Sequence, residues 1–110
     1  MDVGKKEWVP LFDKYNVTIV SENHTHAFKR SKKLRGGKED PNGTIYIGEG
    51  NWGAQVPSLD YFCVPYNVNL TEKVSNATNV WLLEIDNTRT VKATAFGVNG
   101  DTIDKVDIEF

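Results

Sequence analysis

Cysteine is nearly absent: Cys63 is the only one in 110 residues. A single thiol closes no disulfide within the chain and builds no cysteine-rich zinc site. Cys63 reads as a small buried apolar residue between Phe62 and Val64; the other reading is a bridge to a part of the protein outside this chain. No apolar run is long enough to span a bilayer. Met1-Asp2-Val3-Gly4-Lys5-Lys6 has no apolar stretch behind its charges, so a signal peptide is expected to be absent from this chain. Excess charge of one sign is lacking as well. Thirteen Lys and Arg stand against fifteen Asp and Glu, a net charge of -2. The expectation is no nucleic-acid partner and no membrane partner. There are no repeats. Ser21, Ser31, Ser58 and Ser75 lack a G-x-S-x-G setting, Cys63 has no partner pattern, and the carboxylates are scattered. Serine and cysteine hydrolase chemistry is therefore not supported.

What is present reads as an ordinary globular chain, with 39% hydrophobic and 25% charged residues. Its length suits one small domain and not two, so residues 1–110 are read as a single piece. Trp8, Leu11, Phe12 and Tyr15 recur at helical spacing, with Pro10 tolerated in the first turn and an end near Asn16. Val17-Thr18-Ile19-Val20 is β-branched and reads as a buried strand. It stops at Ser21-Glu22-Asn23. Residues 29–40 are charged, contain Gly36-Gly37 and read as an exposed loop. Pro41-Asn42-Gly43 predicts a turn and Thr44-Ile45-Tyr46-Ile47 a second strand. Residues 48–60 read as a long loop, and residues 61–69 are ambiguous. Three strands close the chain: 80–85, 91–98 and 102–110, with Asn99-Gly100 a two-residue hairpin signal. The fold class is α/β but β-rich: one short helix, two strands with long loops, and a C-terminal antiparallel meander. So few helices leave sheet faces uncovered, which points to missing partners.

The histidines of the chain are His24 and His26, two in all. They lie just past the C-terminal end of a strand, where open α/β sheets place their sites. Neutral imidazole is the commonest metal-binding side chain, and two rings one residue apart can face one metal or two neighbouring metals. The alternative is a pair of exposed loop histidines without a role. Gly48-Glu49-Gly50-Asn51-Trp52-Gly53 matches a dinucleotide pattern, but Pro57 interrupts the helix that would hold a pyrophosphate. Those glycines are better read as sites of positive φ or close backbone approach. Lys29-Arg30-Ser31-Lys32-Lys33-Leu34-Arg35 reads as a solvated loop that biases its surroundings toward anions. Asn16, Asn23, Asn42, Asn69 and Asn76 each open an Asn-x-Thr acceptor pattern. Asn16, Asn42, Asn69 and Asn76 are the glycosylation candidates, Asn23 being too close to the histidines. They suggest the secretory pathway or the extracellular space.

The order of these features resembles the C-terminal part of calcineurin-like metallophosphoesterases, the purple acid phosphatase branch above all. The residues that carry it are Asn23-His24-Thr25-His26-Ala27-Phe28-Lys29-Arg30 after a hydrophobic strand, then Gly43-Thr44-Ile45-Tyr46-Ile47-Gly48-Glu49-Gly50. The stretch from Trp8 to Val17 and the closing Asn99-Gly100-Asp101-Thr102-Ile103-Asp104 match the family's neighbouring features. The resemblance implies a metallophosphatase β-sandwich with flanking helices, of which this chain is the C-terminal part. It implies a phosphoric ester hydrolase with a dinuclear centre of Fe with Zn, Mn or Fe. His24 would bind the more exchangeable divalent metal and His26 the iron. The family's other ligands, an Asp, an Asp-x-x-Tyr, an Asn-His and a further His, come earlier in its chains. This chain alone is then expected to be inactive and to hold no metal tightly. Its expected partners are a phosphate monoester and the missing N-terminal part, with a dimer through exposed strands a further expectation. Asn23 replaces the family's Gly, and Asn tolerates left-handed backbone. Glu22 replaces an Ala, and Phe28-Lys29-Arg30 replaces Tyr-Glu-Arg. Asn23 and Arg30 would stand behind the metal ligands or on the substrate side. Two other readings are a free-standing binding module whose surface is Asn51-Trp52 and Tyr61-Phe62, and a non-catalytic scaffold of the same fold.

Overall fold

The computed structural model describes residues 4–24, 26–49, 53 and 68–110. Asn51, Trp52, Tyr61, Phe62 and Cys63 lie outside the described residues, as do most of the long loop at 48–60 and the ambiguous stretch at 61–69.

The chain opens with a π-helical turn at Gly4–Trp8 and one short helix, α1 (Val9–Lys14). Pro10 falls in its first turn, where a missing N–H costs nothing. The helix stops because Asn16 turns left-handed at φ 51°, and the Val17 N–H closes the last turn on Phe12 O at 3.0 Å. Phe12 lies over Tyr46 with ring centroids 6.4 Å apart, which seats the helix on the sheet.

Among the described residues nine strands follow. They are β1 (Ile19–Ser21), β2 (Phe28–Ser31), β3 (Leu34–Arg35), β4 (Lys38–Glu39), β5 (Ile45–Gly48), β6 (Thr71–Ser75), β7 (Asn79–Ile85), β8 (Thr90–Gly97) and β9 (Thr102–Glu109). One sheet has the order β1-β5-β2-β6, β3 and β4 form a small hairpin, and β7-β8-β9 form a meander. β1 runs parallel to β5, with Ile19 beside Ile45 and Ser21 beside Ile47. β2 is antiparallel to both β5 and β6.

The two main sheets pack face to face. Ile45 and Ile47 of β5 meet Val91 and Ala93 of β8 and Ile108 of β9, with Ile19, Trp81 and Val106 around them. Full burial of an isoleucine side chain contributes about 2 kcal/mol. Phe28 of β2 stacks on Trp81 of β7 at 5.6 Å. Ala95 stands beside Trp81 in the ladder and leaves room for the indole. The expected β-rich fold with a C-terminal meander is the one found, but the turn between β8 and β9 is longer than the expected two residues: the Gly97 N–H donates to Asp101 O at 2.8 Å, closing a loop in which Gly100 alone takes positive φ, at 80°.

Two local expectations are corrected. Residues 29–40 are not a loop: β2, an interior strand of its sheet, and the β3–β4 hairpin run through them. The charges that suggested a loop are paired, Lys29 with Glu22 and Arg30 with Asp104. Gly36 and Gly37, at φ 57° and 74°, make the two-residue reversal between β3 and β4. The strand expected over residues 17–20 begins only at Ile19, because the Val17 carbonyl accepts the Thr44 hydroxyl at 2.7 Å.

Candidate functional site

His24 and His26 follow β1, at the end of the sheet where β5 also finishes. The parallel ladder runs one residue past the strand, the Glu22 N–H donating to Ile47 O at 2.9 Å. Asn23 then fastens the two strand ends together. Its Oδ1 accepts the Glu49 N–H at 3.2 Å and the Ser21 hydroxyl at 3.4 Å. His24 sits in a turn and is exposed, its N–H donating to Glu22 Oε1 at 2.7 Å. Thr25 lies outside the described residues. His26 is half-buried, and immediately after it Ala27 and Phe28 are both 2% exposed. The histidine loop is thus pinned to the strand ends on one side and to the sandwich core on the other.

Among the described residues of this loop, the left-handed one is His26, at φ 49°, and not Asn23. Asn23 contributes through its side chain instead, which carries the hydrogen bond to Glu49 just past β5. Left-handed backbone at a residue with a Cβ costs about 1–2 kcal/mol. Asn, Asp and His bear it most often, and such residues gather at functional sites.

Arg30 is placed differently from the histidines. Its Nε donates to Asp104 Oδ2 at 2.6 Å and its Nη2 to Asp104 Oδ1 at 3.3 Å. Lys73 of β6 reaches the same Oδ1 at 2.6 Å. This carboxylate is 3% exposed and joins β2, β6 and β9 across the sandwich. Burial pushes the Asp104 carboxyl up, but the hydrogen bonds and charges of Arg30 and Lys73 outweigh that and hold it below its ordinary value. The Arg30 guanidinium is committed to Asp104 and carries structure. Asn23 is brought to the histidines.

Among the described residues, no group of three or more His, Cys, Asp or Glu side chains converges to hold a metal. A zinc site takes at least three protein ligands. Among the described residues, His24 and His26 therefore belong to no closed site of that kind. The glycosylation candidates Asn16, Asn42, Asn69 and Asn76 are all exposed. Asn16 Oδ1 and Asn42 O both accept from Arg35 Nη2 at 2.8 Å. That joins two of them where β1 and β5 begin, at the opposite end of the sheet from the histidines.

Sequence reasoning overlooked Glu22, Lys29, Lys73 and Asp104 as partners. For Asp104 a signal existed: it lies two residues before Val106 and four before Ile108, on their face of the strand. An acid inside an apolar stripe announces a buried cation.

No family model matches the chain. Purple acid phosphatase 18 of Arabidopsis thaliana is 40% identical over 47 residues, 43% of this chain and 11% of that protein. Two uncharacterized proteins of Mycobacterium tuberculosis are each 50% identical over 36 residues, 32% of this chain and 7% of theirs. A purple acid phosphatase isolated from yellow lupin (Lupinus luteus) seeds superposes with a TM-score of 0.78 at 19% identity, over 92% of this chain and 19% of the lupin chain. The matches thus span from 7% to 19% of the relatives' own lengths.

Proposed function

We propose that this chain, a purple acid phosphatase-like C-terminal part, supplies the His24 and His26 ligands of a dinuclear phosphoric ester hydrolase. The observation that carries the reading is the placement of the two histidines. They follow a strand whose end is fixed by Asn23 and Glu22, in a fold that superposes on the lupin enzyme. His24, exposed, is assigned to the exchangeable divalent metal, and His26, half-buried, to the iron. Bound there with ligands from the rest of the protein, such a centre polarises a phosphate monoester and lowers the pKa of a bound water. The chain's own residues set geometry: Asn23 locks the strand ends, and left-handed His26 turns the chain back into β2. By itself the chain is inactive and holds no metal tightly, because two ligands do not complete the site. The exposed acceptor asparagines Asn16, Asn42, Asn69 and Asn76 support glycosylation and passage through the secretory pathway.

A second reading, a non-catalytic scaffold of the same fold, draws on the same two-ligand count. Hydrolysis of an aryl phosphate and elemental metal content, measured on this chain and on the longest product of its gene, separate the two. Activity with two metals in the longer product, lost in His24→Ala and in His26→Ala, supports the hydrolase. A longer product with neither metal nor activity leaves the scaffold.

A further inference from the structure

Glu22 follows the end of β1 and Lys29 stands on β2, and these two strands do not touch, since β5 lies between them. The two residues are nevertheless ion-paired. The reason is Gly48. Lys29 is paired with Gly48 across the β2–β5 ladder, and the lysine stem crosses β5 where a side chain would otherwise stand. A Cβ at Gly48 would run into Lys29 Cε, would lie 2.9 Å from Lys29 Cγ and would lie 2.6 Å from the Glu22 carbonyl oxygen. The stem is largely buried, at 12% exposure. Its ammonium meets Glu22 Oε2, while Glu22 Oε1 accepts the His24 N–H at 2.7 Å. One carboxylate therefore connects an interior strand of the sheet to the backbone of a histidine beyond its edge strand.

We infer that Glu22, Lys29 and Gly48 form a staple that positions His24 for metal binding. This rests on the reading that His24 is a metal ligand. β1 is three residues long and forms the sheet edge, and the ion pair adds to its end a side-chain tie beyond the one Asn23 makes. Glu22 and Lys29 act as positioning residues, because what they touch is the ligand's backbone.

The rival account is simple charge: a carboxylate near the site attracts a cation and a lysine repels it. The two accounts differ in sign at Lys29. Copper(II), the first-row divalent ion that imidazole sites hold most tightly, is titrated into the 110-residue chain and followed by its d–d absorption. Exchange of the His24 amide is followed by NMR in the same chains without metal. Loss of an outer partner of a metal ligand weakens binding by about tenfold or more. Lys29→Met keeps the stem and removes the charge; it is expected to bind copper about tenfold more weakly and to exchange the His24 amide faster. Glu22→Ala should do the same, and Glu22→Gln, which keeps an acceptor for the amide, should fall between. Gly48→Ala alters no charge and should also weaken binding, an independent reading should Lys29→Met melt early. Copper binding as tight in Lys29→Met as in the parent, or tighter, overturns the staple. His24→Ala and His26→Ala keep the two ideas apart. If copper binds both as it binds the parent, the metal reading itself fails. If both lose copper while Lys29→Met and Gly48→Ala change nothing, only the staple fails.

Discussion

Asp104 occupies a position where an apolar residue would face no desolvation cost, beside Val106 and Ile108 on the inner face of β9. It is tolerated because two cations from two other strands meet it, Arg30 at 2.6 Å and Lys73 at 2.6 Å. Removing one partner of a buried pair costs more than the pair contributes, since the other charge is left stranded. Asp104→Asn is therefore expected to lower stability by about 3 kcal/mol, read from urea unfolding. The same residue gives the fold an acid limb. Its carboxyl is held below the ordinary value, so the folded state binds that proton less readily than the unfolded chain does. The stabilisation is complete above the unfolded Asp value of about 3.9 and is lost as pH falls through the lowered native value. Melting of the parent should drop as pH falls below about 4, and the drop should be smaller in Asp104→Asn. An equal slope in both would assign acid sensitivity to other carboxylates. At this scale the place of His24 and His26, just after a strand, was legible in the sequence. The partners of Glu22 and Asp104 were hidden, because they are set by strand order and not by spacing along the chain.

The element most faithful to its sequence is the meander. Apolar and polar residues largely alternate along β8 and β9, and a reversal at Asn99-Gly100 is present, though the turn closes on Gly97 and Asp101 and so is longer than the two residues expected. Gly100, at φ 80°, has open space where its Cβ would be, so a substitution meets backbone strain and no clash. Gly100→Ala should cost about 1 kcal/mol, seen as a lower urea midpoint with an unchanged slope; a changed slope would mean that the strand register had moved. β2 is the opposite case. Lys29 and Arg30 read as solvent-facing, yet one residue crosses β5 and the other enters the sandwich. The parallel pairing of β1 with β5 was equally hidden, because it joins segments with β2 and a hairpin between them.

As a whole molecule the chain is compact, with a radius of gyration of 13.8 Å against about 13 Å expected for a domain of this length. Compactness does not cover every apolar surface. Edge strand β7 leaves Val80 42%, Leu82 48% and Ile85 66% exposed. Exposed apolar edge strands invite pairing between copies. The chain is expected to self-associate with rising concentration, and Leu82→Lys with Ile85→Lys to suppress this, both followed by sedimentation velocity. A parent chain that stays monomeric throughout would refute the dimer expectation. The overall β-rich architecture could be read from residue patterns and family resemblance. The stacking of β5 against β8 and β9 could not, since it depends on which faces meet across long separations.

The strand order also implies a sequence of events in time. β7, β8 and β9 are consecutive neighbours, so each ladder closes through a short turn and loses little chain entropy. β2 instead waits for β6, and Phe28 must find Ser75. Distant pairings form slowly. The meander should therefore gain amide protection first in pulse-labelled refolding, with β1, β2 and the histidine loop protected last. Newly made copies would then pass through a stage in which half the sandwich is in place and the two imidazoles are not yet set.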